Sequence, residues 1–140
     1  MENKILTNFE DLYVGQTGEF THVVTSENVE DFIALTGDSN PIHHDKVLAS
    51  NTVFGKPVVH GMLTASLIST LIGTVLPGPG SLWLSQTLDF VNPVFVGETL
   101  SINGTIKQKS LGLRVVVIET TVLAGENVKI RGEAKVKILD

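Results

Sequence analysis

The sequence contains no cysteine. That excludes disulfides, thiolate metal sites and a cysteine nucleophile, and it fits a reducing compartment. Positive charge is also scarce. Ten Lys and Arg stand against 15 Asp and Glu, a formal net charge of −5. A general nucleic-acid binder neutralises phosphates with a basic patch, so this balance disfavours one. No apolar run is long enough for a membrane. The main uncharged stretch begins at Gly61 and passes Ser81, but its helical part stops at Leu76, before Pro77. About 15 residues fall short of the ~20 needed to cross a bilayer. The first residues, MENKILTNFEDLYVG, carry acids early and lack a continuous apolar segment, unlike a secretory signal. GxSxG, HExxH, a P-loop and a strand-linked GxGxxG are all missing, so serine hydrolysis, zincin chemistry, nucleotide hydrolysis and hydride transfer find no support. The expectation is a soluble, cytoplasmic protein that neither spans a membrane nor binds nucleic acid.

What is present suits one globular domain over residues 1–140. Apolar residues make up 42% and charged residues 18%, with no repeat, linker or low-complexity tract. Residues 17–24 read as a strand. Val29, Phe32, Ile33 and Thr36 then fall at i, i+3, i+4 and i+7, one helical face. Thr25 or Ser26 suits the cap, and Gly37 suits the left-handed position after the last turn. A short helical piece is expected from Asp45 to Ser50, then a loop over 51–60. Residues 61–76 place apolar side chains around most of a helix, which marks a buried one; PGPG at 77–80 ends it. The remainder reads as strands over 82–90, 99–107, 111–123 and 128–139, joined by short antiparallel connections. In the first of these Leu82, Leu84, Gln86, Leu88 and Phe90 would share a face; in the second, Leu100, Ile102, Gly104 and Ile106. The fold class is therefore α+β: an antiparallel sheet of about five strands wrapped around a long buried central helix. One sheet cannot enclose a helix, so a second copy of the chain is expected to close the core.

Between the two apolar helices lies GDSNPIHHD, residues 37–45. Asp38 and His43 flank Pro41, whose bend lets both side chains address one small volume. A carboxylate and an imidazole sharing a water can take a proton from it and deliver one to carbon. Asn40 could orient that water or bond a substrate carbonyl. The plainer alternative is an ordinary Asx–Pro turn. A metal reading would recruit Asp38, His43, His44 and His60, but adjacent His43 and His44 are not a standard ligand spacing. Gly61 stands at the start of the buried helix. Free N–H groups there, with the helix dipole, favour a developing negative oxygen; a simple helix-entry glycine is the competing reading. His60 reads as a hydrogen-bonded loop residue, and His22 has no evident partner.

GDSNPIHHD, followed by FGKPVVHGMLTASLIS and by GSLWLSQTLDFVNPVFVGETL, resembles the (R)-specific enoyl-CoA hydratases of the MaoC-like group. The likeness covers roughly residues 12 to 137. It implies the hot-dog fold, a homodimer or dimer of dimers, and reversible syn addition of water to a trans-2-enoyl-CoA thioester. Asp38 and His43 match the pair that activates water. Asn40 matches the supporting Asn, and Gly61 the residue whose N–H faces the thioester oxygen. No metal and no redox cofactor is implied. Ser69 and Ile72, three apart on the central helix, would help set acyl-chain length if their shared face meets the site; plain core packing is the alternative. A phosphate site for CoA could draw on Lys46, Lys56, Lys107 or Arg114. The implied role is supply of (R)-3-hydroxyacyl-CoA to polyester synthesis or a related fatty-acid pathway. The rivals are a dehydratase acting on carrier-protein thioesters, a hot-dog thioesterase, and a non-catalytic acyl-CoA-binding module.

Overall fold

The computed structural model describes residues 5–139. A 3₁₀ turn at Phe9–Asp11 precedes β1 (Thr17–Val23) and α1 (Ser26–Thr36). A second 3₁₀ turn at Pro41–His43 and the short α2 (Lys46–Ser50) follow, then a loop, then α3 (Gly61–Thr70). Five strands complete the chain: β2 (Ser81–Gln86), β3 (Asp89–Phe90), β4 (Thr99–Ser110), β5 (Val115–Ala124) and β6 (Asn127–Ile138). They form one six-stranded antiparallel sheet in the order β1-β4-β5-β6-β2, with β3 also paired to β6.

The sheet presents one apolar face, as alternation along its strands requires. Leu100, Ile102 and Ile106 of β4, Val116, Ile118 and Val122 of β5, and Ala134 and Val136 of β6 are fully buried. They share a core with Leu63, Ile68, Leu71 and Ile72 from α3 and the turn after it. This is the hot-dog arrangement that the resemblance implies. Gly18 of β1 lies opposite Gly104 of β4. A Cβ at Gly18 would sit 2.8 Å from the Leu76 Cβ, and one at Gly104 would sit 3.1 Å from Leu71. The two glycines thus form the hollow that seats the end of the central helix.

Several local expectations change. The central helix does not run regularly to Leu76: after Thr70 it widens into a π-helical turn, Leu71–Val75. It is also not buried all round. Met62, Ser66, Ser69, Thr70, Gly73 and Thr74 are exposed and follow helical spacing along one side. Residues 82–90 are two strands, not one. The chain steps out of register between Trp83 and Ser85 and crosses over Gly132, where the Thr87 carbonyl oxygen lies 1.9 Å from the place a Cβ would take. Leu82, Leu84 and Phe90 are exposed, 46–53%, and do not form a shared buried face. Residues 111–114 turn, and β5 begins only at Val115. Among the described residues no helix is long and apolar enough to cross a membrane.

One buried charge fixes the segment between β3 and β4. Lys129, 3% exposed, places its ammonium 2.7 Å from the Pro93 carbonyl and 3.1 Å from the Glu98 carboxylate. Its own carbonyl accepts from Val91 N–H. Removing one partner of a buried pair strands the other charge. Lys129→Ala is therefore expected to lower unfolding free energy by about 3 kcal/mol, the low end for such a pair because Glu98 is partly solvated. Urea denaturation followed by circular dichroism measures it.

Candidate active site

The turn at 37–45 is built by its own side chains. Thr25 caps α1 in a reciprocal capping box with Asn28, and Gly37 ends that helix in the left-handed conformation, φ 75°. Asp38 follows at once, exposed, its carboxylate accepting from Asn40 N–H at 3.2 Å. The Asn40 side-chain oxygen accepts from Ile42 N–H, and Pro41 occupies the first position of the 3₁₀ turn. Asn40 thus shapes the turn that carries His43; its side chain does not line the cavity described below. Asp45 caps α2 with bonds to Val47 and Leu48 N–H.

The 57–60 segment ties this turn to the central helix. Val58 N–H donates to the Ile42 carbonyl, and Val59 N–H donates to the Val94 carbonyl. His43 Nδ1 lies 2.6 Å from the Val58 carbonyl oxygen. A carbonyl only accepts, so Nδ1 carries the proton and Nε2 of the neutral ring is left with the lone pair. His60, 2% exposed, donates from Nε2 to the Asp38 carbonyl at 3.0 Å. Its ring stacks on His43 with centroids 3.8 Å apart. His44 faces elsewhere, donating to the Ser39 carbonyl.

Asp38, His43, His60 and Gly61 line one cavity of about 640 Å³. Phe54, Val58, Phe90 and Ile130 make its other walls largely apolar. Gly61 opens α3 at its edge, and no side chain caps that helix end. The first N–H groups and the positive end of the dipole are available there to an anionic oxygen. A Cβ at Gly61 would come within 2.7 Å of the Phe90 ring, so the bare backbone also preserves the width of the cavity.

One ligand-capable atom from each of Asp38, His43 and His60 lies within 4.8 Å of the other two. Two hydrogen bonds of about 2.8 Å to one water span such a separation. Two bonds of about 2.1 Å to one zinc ion reach at most ~4.2 Å. A separation of up to 4.8 Å admits a water shared by two of these groups and, at its shorter end, a metal ion as well.

Ser69 and Ile72 do not join this group. Ser69 is exposed, Ile72 is buried in the core, and neither lines the cavity. The π-helical turn beginning at Leu71 breaks the i, i+3 register on which their common face depended. Of the four basic candidates, Lys46 and Lys56 border an adjoining depression of about 420 Å³ that shares His43 with the main cavity. Lys107 and Arg114 instead face Glu119 and Glu10. Sequence reasoning missed the stacking role of His60 and the cavity position of Thr64. The available signal was their i, i+4 spacing, which puts the residue before the helix and a buried Thr of its first turn on the same side. His22, without an evident partner in sequence, bonds Asn28 at 2.8 Å.

The chain matches the family described as "MaoC like domain" over residues 13–128. It is 40% identical over 130 residues to the 3-hydroxybutyryl-CoA dehydratase of Methylorubrum extorquens, covering 93% of this chain and 83% of that one. Against the (R)-specific enoyl-CoA hydratase of Rhodospirillum rubrum it is 35% identical, covering 98% and 95%. The solved (R)-hydratase of Aeromonas caviae involved in PHA biosynthesis superposes with a TM-score of 0.89 at 38% identity, over 92% of this chain and 98% of that one.

The bonds around the turn fix its tautomers. In the neutral state His43 is expected as Nδ1–H, and His44 and His60 as Nε2–H. Multiple-bond ¹H–¹⁵N correlation spectra separate the two forms for each ring.

Proposed function

Since the chain belongs to the MaoC-like family, we propose that it is an (R)-specific enoyl-CoA hydratase, a hydro-lyase that adds water to trans-2-enoyl-CoA. The observation that carries this reading is the convergence of Asp38 and His43 on an apolar cavity beside the uncapped start of α3. A greasy pocket fits an acyl chain, an acid–imidazole pair fits a water, and a helix start fits a thioester oxygen.

In the proposed reaction the Asp38 carboxylate and His43 Nε2 hold one water over C3 of the enoyl group. Its oxygen bonds to C3, and the pair takes one of its protons. Charge moves through the double bond onto the thioester oxygen, where Gly61 N–H and the helix dipole stabilise it. The pair then returns a proton to C2 on the same face, giving the (R)-3-hydroxyacyl-CoA. Every atom of the water ends in the product, and the reverse sequence is dehydration. Asn40 supports the pair by shaping its turn. Lys46 and Lys56 receive the phosphates of CoA. The acyl chain runs along Phe54, Val58 and Ile130 in place of Ser69 and Ile72.

The unit is a cytoplasmic homodimer in this reading. The free edge of β2, with Leu82, Trp83 and Leu84 at 37–52% exposure, lies at one end of the sheet. The exposed side of α3 and Phe90 add further uncovered surface. An apolar strand edge of this kind pairs with another edge unless it is protected, and two copies related by a two-fold axis would cover both at once.

With crotonyl-CoA, the wild type is expected to remove the enoyl-thioester ultraviolet absorbance and yield the (R)-alcohol on chiral analysis. Asp38→Asn and His43→Gln should each lower kcat by about 10²- to 10⁴-fold. No loss of absorbance with crotonyl-CoA or longer enoyl-CoAs would defeat the proposal, and release of free thiol would replace it with thioester cleavage. Sedimentation velocity is expected to give twice the 15.1 kDa chain mass or a multiple of that dimer; a stable monomer would remove the dimer.

A further inference from the structure

His60 makes more contacts than a passive wall residue needs. It is 2% exposed, and Phe32 of α1 packs against it with ring centroids 4.8 Å apart. Its Nε2 bonds the Asp38 carbonyl at 3.0 Å. Its ring lies 3.8 Å from that of His43, with the planes 29° apart. One buried imidazole therefore touches the main chain of the first proposed catalytic residue and the ring of the second. Its other nitrogen, Nδ1, is buried without a hydrogen-bond partner among the described residues. A residue kept only for packing would be served as well by Phe or Leu, with no buried nitrogen to satisfy.

Neither Asp38 nor His43 is fixed by its own side-chain bonds. Asp38 is exposed and follows a left-handed glycine, and its carboxylate has one bond, to Asn40 N–H at 3.2 Å. His43 has one bond, from Nδ1 to the Val58 carbonyl. A single bond holds the imidazole plane only softly, and a pivot about the Cβ–Cγ bond would swing Nε2 off the water. A flat, buried neighbour at 3.8 Å removes the pivot. The Nε2–H bond likewise holds the Asp38–Ser39 peptide, adding to the bonds from Asp38 N–H to Thr36 and from Ser39 N–H to the Gly37 carbonyl.

We infer that His60 is a positioning residue for the Asp38–His43 pair, holding the Asp38 peptide through its N–H and the plane of His43 through its ring. The inference rests on the hydratase reading for its kinetic consequence and on geometry alone for its structural one. His60 touches no reacting atom in this scheme. Its effect falls on turnover, because a misplacement of about 1 Å in a proton-transferring group costs on the order of 100-fold.

Two variants separate its two contacts. His60→Phe keeps a stacked ring and loses the N–H; His60→Gln keeps an N–H donor and loses the ring. Steady-state hydration of crotonyl-CoA is measured for both, with thermal unfolding as a check that they are folded. Each is expected to lose about 10- to 100-fold in kcat with KM within about threefold. The second readout is the His43 ring-proton resonance, which senses the ring current of a stacked neighbour. It should keep an upfield ring-current shift in His60→Phe and lose it in His60→Gln. Wild-type kcat in both variants, a fall explained wholly by KM, or a His43 resonance that ignores His60→Gln would each overturn the inference. A wild type that does not hydrate any enoyl-CoA would defeat the hydratase reading instead, and the resonance would still decide whether His60 holds the His43 ring.

Discussion

The structure depends on burying one short helix against the single apolar face of a twisted antiparallel sheet. α3 offers the sheet Leu63 and Ile68, continued by Leu71 and Ile72 in the wider turn beyond it, and the sheet answers with residues that are wholly inaccessible on β4, β5 and β6. Each such side chain contributes roughly 1.5–3 kcal/mol when removed from water. That energy fixes where the helix lies, and with it where the helix begins. Gly61 cannot move without moving the core. Whatever is attached to the helix start by short-range bonds is held equally firmly, and the residues attached there are those of the 37–45 turn.

The attachment is a relay of main-chain bonds, Ile42 to Val58 and Val59 to Val94. It places polar chemistry at the boundary between the core and solvent without burying a charge. Asp38 stays exposed, and Lys129, the one deeply buried cation among the described residues, lies beyond the cavity and is paired with Glu98. Burying an unpaired carboxylate would cost several kcal/mol. The turn avoids this by lying at the rim, with the apolar walls of the cavity behind it.

Much of this was legible in the sequence, for identifiable reasons. The period of 3.6 over 26–36, its Thr cap and its closing glycine are local signals, and α1 follows them residue by residue. The alternation Leu100, Ile102, Gly104, Ile106 is equally local, and it defines the inner face of β4. The Asp-Asn-Pro-His spacing placed Asp38 and His43 around one small space. What sequence could not supply was long-range. The break between β2 and β3 arises from the chain crossing Gly132, more than 40 positions away. The π-helical turn after Thr70 moved Ile72 away from Ser69, and nothing in LIGTV announces it. The stack of His60 on His43 joins residues 17 apart across α2 and a loop that carries no periodicity.

The three histidines around the turn have one property in common: each anchors itself through an N–H to a main-chain carbonyl, at Val58, Ser39 and Asp38. Among the described residues the ion pairs lie elsewhere, at Lys107–Glu119, Arg114–Glu10 and Lys129–Glu98. The architecture of the turn is therefore built from dipoles at contact distance, which dissolved ions screen little. Lys46 and Lys56, on the open depression beside it, act through exposed charge, which a Debye length near 8 Å at physiological ionic strength largely damps. In the proposed hydratase, grip on the phosphates of CoA and geometry at the reacting centre are thus separated by the solvent itself: as salt rises the first weakens while the second stays as folded.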